Sequence, residues 1–303
     1  MSEGSTMTPV IDRDKGFTHT LKSERLQAET GWGVSYRGTR FDWSGFTTQI
    51  TLDNSFTFCR KESLIPGQGT GGEGLCNEFD INGPENYAAA EAGGSFLKIG
   101  VGVLKKPDAS AYGFTKPYEA VPVVPEVSAA SNKIVFKMLS PSINGYGYLL
   151  EKTLSVAGNA LEITYRLRNT DEKAFVTEEY THNFFGISNK PIGPDYTLDF
   201  KGSYDWQPKV GDFILQDGTV SWPATPEEAF YAQLNNSVSF KECRWELRNN
   251  AIGAGIRELG DFPVVRAALW GTGHVVSPEI FAVIALKPDE EKSWCRRYEF
   301  FTL

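Results

Sequence analysis

The alternation of apolar and polar residues is the feature that most constrains the fold of this chain. In residues 160–168, apolar Leu161, Ile163, Tyr165 and Leu167 alternate with polar and charged residues. Because successive side chains of a β-strand point to opposite faces, this period of two predicts a strand with one buried side. We also predict strands in the segments 48–58, 95–104, 133–139, 148–156, 196–200, 238–248 and 280–286.

Turn-forming residues separate these strands. Gly158 and Asn159 stand between two alternating runs and predict a two-residue hairpin turn. Residues 226–234 alone are predicted to be helical, because a proline and two acidic residues stand at their start. Residues 61–95, rich in glycine and acidic residues, are predicted to be a long loop.

Many strands with so little helix predict an all-β fold, a large antiparallel sandwich or barrel. No break in composition divides the chain, so we expect a single domain over residues 1–303. Within it, residues 1–20 are predicted to be a loosely held N-terminal segment.

Composition and charge disfavour several classes of partner. The net charge is −8 at pH 7, which disfavours nucleic acid and an anionic membrane surface. No run approaches the ~18 apolar residues of a membrane span, and residues 1–16 lack the apolar core of a signal peptide. The four cysteines are widely spaced and form no CxxC pair, which is typical of free thiols in a reducing compartment. We expect a cytoplasmic protein, although a chain whose leader had been removed would show the same pattern.

His182 is the first candidate for acid–base chemistry. By strand parity Glu178, Tyr180, His182 and Phe184 share one face, which gives a polar cluster rather than a core. A nearby carboxylate raises the pKa of an imidazole and favours its acid-competent form. The alternative is a structural histidine that bonds to the backbone.

Glu279 is the second candidate. Pro278 predicts an extended chain at this point, and Glu279 then opens an apolar strand. A carboxylate at the rim of an apolar face has a raised pKa and suits a general base. The alternative is a solvent-facing glutamate at a strand end. Trp270 and His274, nearby in sequence, are candidates to flank the same pocket.

Two further segments supply candidate binding residues. Arg37, Arg40 and Asp42 lie within six residues, and the two arginines could clamp a carboxylate, a sulfate or a pair of hydroxyls. A structural Arg–Asp corner is the alternative. Glu78 lies in an acidic segment, residues 71–81, that lacks the context of a phosphate-binding loop. We expect no metal site in the chain.

The order of these segments resembles the galactose mutarotase-like (aldose 1-epimerase-like) superfamily, especially its uncharacterised bacterial members. The resemblance covers about residues 30–303 and is carried by residues 149–187 (LLEKTLSVAGNALEITYRLRNTDEKAFVTEEYTHNFFGI), by residues 277–301 (SPEIFAVIALKPDEEKSWCRRYEFF), by RGTRFDWSG and by LKIGVGVLKKPD. It implies a β-supersandwich that interconverts the anomers of an aldose without a cofactor or metal. It also implies that His182 is the general acid for the ring oxygen and Glu279 the general base for the C1 hydroxyl.

The sequence departs from the family pattern in two respects. No histidine stands between residues 20 and 181 to serve as the family's second binding histidine, and Pro278 precedes Glu279 instead of following it. Arg37, Arg40 and Asp42 are candidates to replace the missing groups, which predicts an anionic or otherwise unusual sugar. Equal turnover of neutral and charged aldoses would count against this hypothesis.

Two other functions remain open on the same scaffold. The first is a non-catalytic sugar-binding or sensing protein. The second is a glycoside hydrolase or lyase, in which Glu178 or Glu78 would pair with Glu279 because such enzymes need two carboxylates at the scissile bond. All three functions predict a monosaccharide or sugar derivative as the partner. Separately, we expect a monomer or a homodimer. An epimerase would act in carbohydrate metabolism. Its chemistry predicts that His182 and Glu279 lie on opposite sides of a sugar-sized pocket.

Overall fold

Two large antiparallel sheets and one small sheet account for most of the computed structural model, which describes residues 7–9, 11–201, 205–206, 210–235 and 243–303. The first sheet has the spatial order Phe17–Lys22 (β1), Leu26–Trp32 (β2), Phe46–Leu52 (β3), Leu75–Phe79 (β5), Phe175–Asn183 (β13), Val275–Leu286 (β22), Arg266–Thr272 (β21), Phe230–Asn235 (β18) and Asp205–Trp206 (β15), with Phe56–Thr57 (β4) beside β3.

The second sheet has the order Ile214–Gln216 (β16), Thr219–Ser221 (β17), Tyr196–Phe200 (β14), Cys243–Asn249 (β19), Ala254–Gly260 (β20), Glu291–Thr302 (β23), Ala160–Asn169 (β12), Tyr148–Ala157 (β11), Lys133–Leu139 (β10) and Glu126–Ala130 (β9). The small sheet consists of Ser95–Lys98 (β6), Gly102–Lys105 (β7) and Ala120–Pro122 (β8). The described residues form one short α-helix, Glu85–Ala89 (α1), and one 3-10 turn, Ile187–Asn189.

The core lies between the two large sheets and follows the predicted alternation. Along β12 the apolar residues Leu161, Ile163, Tyr165 and Leu167 are fully buried, while the residues between them reach solvent. Fully burying one large apolar side chain stabilises the fold by roughly 1.5–3 kcal/mol, so one face of each long strand contributes strongly to the packing of the sheets. The predicted all-β sandwich is confirmed.

The hairpin at Gly158 and Asn159 is also confirmed. Ala157 at the end of β11 pairs with Ala160 at the start of β12, so the two residues between them form the whole turn. Gly158 has a φ of +57°, a left-handed conformation that glycine adopts without steric cost.

Three predictions of secondary structure are wrong. The predicted strand 48–58 is the hairpin of β3 and β4, in which Leu52 pairs with Phe56. Residues 230–234 of the predicted helix 226–234 belong instead to β18. Phe230 and Ala232 are buried and Tyr231 is exposed, which is a period of two completed by pairing with β21. The predicted strand 95–104 is instead the hairpin of β6 and β7. It turns at Gly100, whose φ of +78° lies in the left-handed region and outside the range of extended strand backbone.

The expected long loop 61–95 also contains regular structure. Its residues Leu75–Phe79 form β5, a buried strand next to β13 in the first sheet. Likewise β1 begins at Phe17, inside the segment expected to be loosely held, and pairs with β2 along its length. Of the strand predicted at 238–248, residues 243–248 belong to β19, and 238–242 lie outside the described residues. Within the described part of the chain, no helix has the length and apolar character needed to cross a membrane.

Candidate functional site

Strand β13 presents alternate residues to a cavity on one side of the first sheet. Tyr180 and His182 line this cavity, and Glu178 binds Arg266 at its edge. The parity of the sequence predicts that these three residues of β13 share one face. The cavity has a volume of about 680 Å³, which is in the range of small-molecule sites. Strand β13 therefore forms the floor of a pocket large enough for a monosaccharide.

The pairing of β13 with β22 brings His182 and Glu279 together. Tyr180 pairs with Phe281, and in the same register Phe185 forms a bridge to Val276. His182 therefore lies directly across from Glu279, although 97 positions separate them in the numbering. Neighbouring residues on paired strands have close side chains, so the register itself builds the contact.

His182, Glu279 and Ser277 make three mutual contacts. His182 Nε2 lies 3.1 Å from Glu279 Oε1, and His182 Nδ1 lies 2.8 Å from Ser277 Oγ. Ser277 Oγ lies 3.2 Å from the same Glu279 oxygen. His182 and Glu279 thus line one cavity as adjacent groups, which departs from the expectation that they stand on opposite sides of it.

Burial controls the protonation of this pair. It raises the pKa of the Glu279 carboxyl to about 8, an effect that the positive charge of Arg40 only partly offsets. Burial and the charge of Arg40 together lower the pKa of His182 well below its ordinary value. At neutral pH the carboxyl is therefore protonated and the imidazole is neutral, because neither charged form is well solvated.

The ring of His182 is fixed by aromatic neighbours. It stacks on Phe184 with ring centroids 4.0 Å apart, and Trp270 meets it edge to face at 5.3 Å. Trp270 belongs to β21 and lines the cavity, where it was expected to lie. Aromatic contacts of this kind hold the imidazole in one plane, so that Nε2 faces Glu279.

Arg40 enters the cavity from the loop between β2 and β3 and is held by a second polar group. Its Nε donates to Glu78 Oε2 at 2.9 Å, its Nη1 to Thr70 Oγ1 at 3.1 Å and its Nη2 to the Tyr180 hydroxyl at 3.0 Å. Tyr180 in turn donates to Glu78 Oε2 at 2.6 Å. Glu78, fully buried on β5, therefore anchors Arg40 from below the cavity.

The remaining walls combine one more ion pair with apolar surface. Arg266 donates two hydrogen bonds to Glu178, at 2.9 and 2.7 Å, and its guanidinium lies 3.4 Å from the centroid of the Phe281 ring. The full set of lining residues is Tyr36, Gly38, Thr39, Arg40, Glu62, Gly69, Thr70, Ile81, Phe114, Thr115, Lys116, Tyr180, His182, Tyr231, Arg266, Trp270, Glu279 and Phe281.

Four of the candidate binding residues, Arg37, Asp42, Glu78 and His274, do not line the cavity. Glu78 lies beneath it and accepts a hydrogen bond from Arg40. Arg37 is on the surface, where its guanidinium donates to the backbone carbonyls of Arg13 and Asp14. His274 bonds to Thr272 Oγ1 and to the backbone carbonyl of Lys61. The loop turns between Arg37 and Arg40, so the two arginines cannot form the expected clamp.

Asp42 also lies outside the cavity, between the two large sheets. Lys152 donates to its Oδ2 at 3.2 Å, and Ser44 donates to its Oδ1 through both the backbone N–H and the hydroxyl. Asp42 is fully buried there, so it serves the packing of the sheets.

Sequence reasoning missed Ser277 and Arg266. Ser277 stands two residues before Glu279 on β22, so strand parity alone places both on one face. Arg266 lacks such a local signal. It reaches Glu178 because β21 and β13 flank β22, an arrangement that only the sheet order reveals.

Comparison with solved structures identifies the class of fold. No protein-family model and no curated protein sequence matches this chain. The Slr1438 protein from Synechocystis sp. PCC 6803 matches with a TM-score of 0.64 and 14% identity over 98% of this chain and 100% of that one. A galactose mutarotase-like protein from Clostridium acetobutylicum matches with a TM-score of 0.60 and 12% identity over 99% of both chains. Galactose 1-epimerase from Lactobacillus acidophilus matches with a TM-score of 0.56 and 11% identity, also over 99% of both.

The chain therefore has the galactose mutarotase-like sandwich fold over nearly its whole length. The resemblance noted from the sequence is confirmed at the level of the fold. At identities of 11–14% the comparisons establish the fold only. Any activity therefore has to be inferred from the residues of the cavity.

Proposed function

We propose that this protein is an aldose 1-epimerase-like isomerase, in which His182 and Glu279 exchange protons with a sugar bound in the cavity. The observation that carries the proposal is the contact of His182 Nε2 with Glu279 Oε1 in a sugar-sized cavity. The two oxygens that react in an anomer exchange, O1 and the ring oxygen, are bonded to the same carbon. Two adjacent proton-handling groups therefore suit them.

The protonation of the pair suggests which residue gives the first proton. His182 Nε2 accepts the proton of the C1 hydroxyl, C1–O1 becomes a carbonyl, and the bond from C1 to the ring oxygen breaks. The ring oxygen takes the proton of Glu279. After rotation about C1–C2 the ring closes on the other face, and both protons return. These starting roles are the reverse of those implied by the family resemblance, because burial leaves Glu279 protonated and His182 neutral.

The charges around the cavity support a neutral aldose as the first substrate to test. Arg40 is paired with Glu78 and Arg266 with Glu178, so each guanidinium already has a carboxylate partner within the protein. The hypothesis of an anionic sugar rested on a clamp of Arg37 and Arg40 that the loop does not form. Aromatic rings line the cavity, that of Trp270 among them. They offer apolar surface to the C–H faces of a sugar.

Anomer exchange measured by NMR on a panel of neutral and acidic aldoses tests the proposal. We expect the wild-type protein to accelerate exchange of at least one sugar. His182→Ala and Glu279→Gln should each lower kcat by about 10²- to 10⁴-fold, because each removes one proton-transfer group. His19→Ala is the matched control, since His19 bonds to the carbonyl of Ala130 away from the cavity.

Other outcomes would point to other functions. A wild-type protein that shifts sugar resonances without accelerating exchange would be a sugar-binding protein. Glycoside hydrolysis has less support, because Glu178 is held by Arg266 and Glu78 by Arg40 and Tyr180, so each candidate second carboxylate is already bound.

A further inference from the structure

Ser277 occupies an irregular point in the centre of the first sheet. Pro278 follows it within β22 and has no backbone N–H to give to the ladder, which is why proline is rare in central strands. Across from it, the backbone N–H of Asn183 donates to Ser277 Oγ at 2.9 Å, and Asn183 Nδ2 donates to the carbonyl of Pro278. A side-chain oxygen thus replaces a backbone acceptor, and the replacement holds Ser277 Oγ between His182 and Glu279.

Counting protons around the three side chains limits their arrangement. Each of the three contacts (Ser277 to His182, Ser277 to Glu279 and His182 to Glu279) needs one proton to be attractive, because two unprotonated oxygens or nitrogens repel. The hydroxyl supplies one proton and a neutral imidazole a second. The third must lie on the carboxyl or convert the imidazole to its charged form, and the burial of the three side chains disfavours the charges.

We propose that Ser277 is a positioning residue for proton transfer: its hydroxyl accepts the Nδ1 proton of His182 and donates its own to Glu279 Oε1. This arrangement leaves Nε2 as the unprotonated nitrogen that faces the cavity, with Glu279 carrying the proton to be donated. The catalytic part of the inference rests on the proposed epimerase function, whereas the proton arrangement stands on the geometry of the free protein.

The same hydrogen bonds persist when the sugar ring opens. His182 then carries protons on both nitrogens and Glu279 is ionised, yet Nδ1 still donates to Ser277 and Ser277 still donates to Glu279. A sugar that bonds to Nε2 and to the carboxyl takes the place of their direct contact, and Ser277 remains the group that joins them. Polar groups that need not reorient during proton transfer lower its barrier.

The proton arrangement is testable without any sugar. The chain has three histidines, so the imidazole ¹⁵N signals of His182 can be assigned by their loss in His182→Gln. We expect the Nδ1–H tautomer in the wild-type protein at pH 7, and a mixture of tautomers or the Nε2–H form in Ser277→Ala. A wild-type Nε2–H tautomer, or unchanged signals in Ser277→Ala, would overturn the proposal.

Activity measurements test the positioning role. Ser277→Ala should lower kcat for anomer exchange by about tenfold or more with little change in KM, because it disturbs a group that acts through His182 and Glu279. The alkaline limb of its pH–rate profile should move to higher pH, since Ser277 donates to Glu279 and so favours the carboxylate. Ser277→Thr keeps a hydroxyl and should retain most of the rate, and it tests the proposal even where the alanine variant does not fold.

Ser140→Ala is the matched control, because Ser140 is another buried serine whose Oγ accepts a backbone N–H, that of Tyr148. It should leave both kcat and the pH profile unchanged. If the wild type exchanges anomers normally and Ser277→Ala has the same rate and the same alkaline limb, only the proposed role of Ser277 is contradicted. Failure of the wild type to exchange any sugar would contradict the proposed function. The tautomer of His182, measured by ¹⁵N NMR, would still test the proposed proton arrangement.

Discussion

The two faces of strand β13 carry polar residues of different kinds. On the cavity face, His182 contacts Glu279, and both side chains titrate. On the opposite face, Glu179 binds Arg296 of β23 through Nε and Nη2 and also accepts a hydrogen bond from the Trp294 indole. The first pair can move a proton, whereas the second contains a guanidinium that stays charged at every accessible pH.

On the inter-sheet face, most hydrogen-bonding positions of the buried ions are occupied. Arg296 also donates to Glu258 of β20 and to the carbonyl of Ile280, and Glu258 accepts a further hydrogen bond from the Trp245 indole. A buried ion is tolerated only when its hydrogen bonds are satisfied, and here one arginine joins both sheets directly behind the site. The comparison indicates that fixed charges hold β13 in place while movable protons lie on its other side.

Arg296→Met should have the largest effect, because it removes the cation that Glu179 and Glu258 share. Breaking a buried ion pair by removing one partner costs about 3–5 kcal/mol of unfolding free energy. Urea unfolding followed by tryptophan fluorescence measures this change. Arg297→Met is the control at the next position, where the side chain is 46% exposed and bridges Glu299, and it should cost less than ~1 kcal/mol. Equal losses in the two variants would show that the inter-sheet network does not stabilise the fold.

Glu279→Gln should change how stability depends on pH. The folded protein holds the Glu279 proton more tightly than the unfolded chain does, since burial raises its pKa from 4.5 to about 8. That contribution to stability is complete below about pH 4.5 and is lost as the pH rises through 8. Between pH 7 and 8 the wild type should therefore lose about 1 kcal/mol of unfolding free energy that the variant keeps.

Glu299→Gln serves as a control of opposite sign. Partial burial tends to raise the pKa of Glu299, but hydrogen bonds from Arg257 and Arg297 outweigh it and leave that pKa lowered. Its contribution is present above the ordinary pKa of a glutamate and is lost on acidification, so this variant should differ from the wild type at neutral pH and approach it at low pH. Parallel wild-type and Glu279→Gln curves from pH 7 to 9 would mean that Glu279 is ionised in the folded protein.

Local sequence pattern predicts the two faces of β13 but not their partners. The parity of Tyr180 and His182 gives their common face, and Gly158 with Asn159 gives a turn, because both signals lie within a few residues. The contacts with Ser277 and Arg296 depend on strand register and sheet order over about a hundred residues, which no local period encodes. The same limit explains the errors at Arg37 and Asp42: a loop that turns sharply sends neighbouring residues to the surface, to the cavity and to the inter-sheet core.

A matched pair of Tyr→Phe substitutions should show a further difference between the two faces. On the cavity face the Tyr180 hydroxyl accepts from Arg40 and donates to Glu78, so Tyr180→Phe removes two hydrogen bonds beside the site. We expect a loss of about 1–2 kcal/mol in unfolding free energy and a few-fold rise in KM for the sugar, since Arg40 loses one of its supports.

Between the sheets the Tyr165 hydroxyl is buried without a hydrogen-bond partner among the described residues. Tyr165→Phe should therefore be neutral or stabilising, because it removes a desolvated hydroxyl and keeps the ring stacked on Trp294. Equal losses of stability in the two variants, with KM unchanged in both, would mean that Tyr180 contributes only packing and that the polar group around Arg40 does not support the cavity.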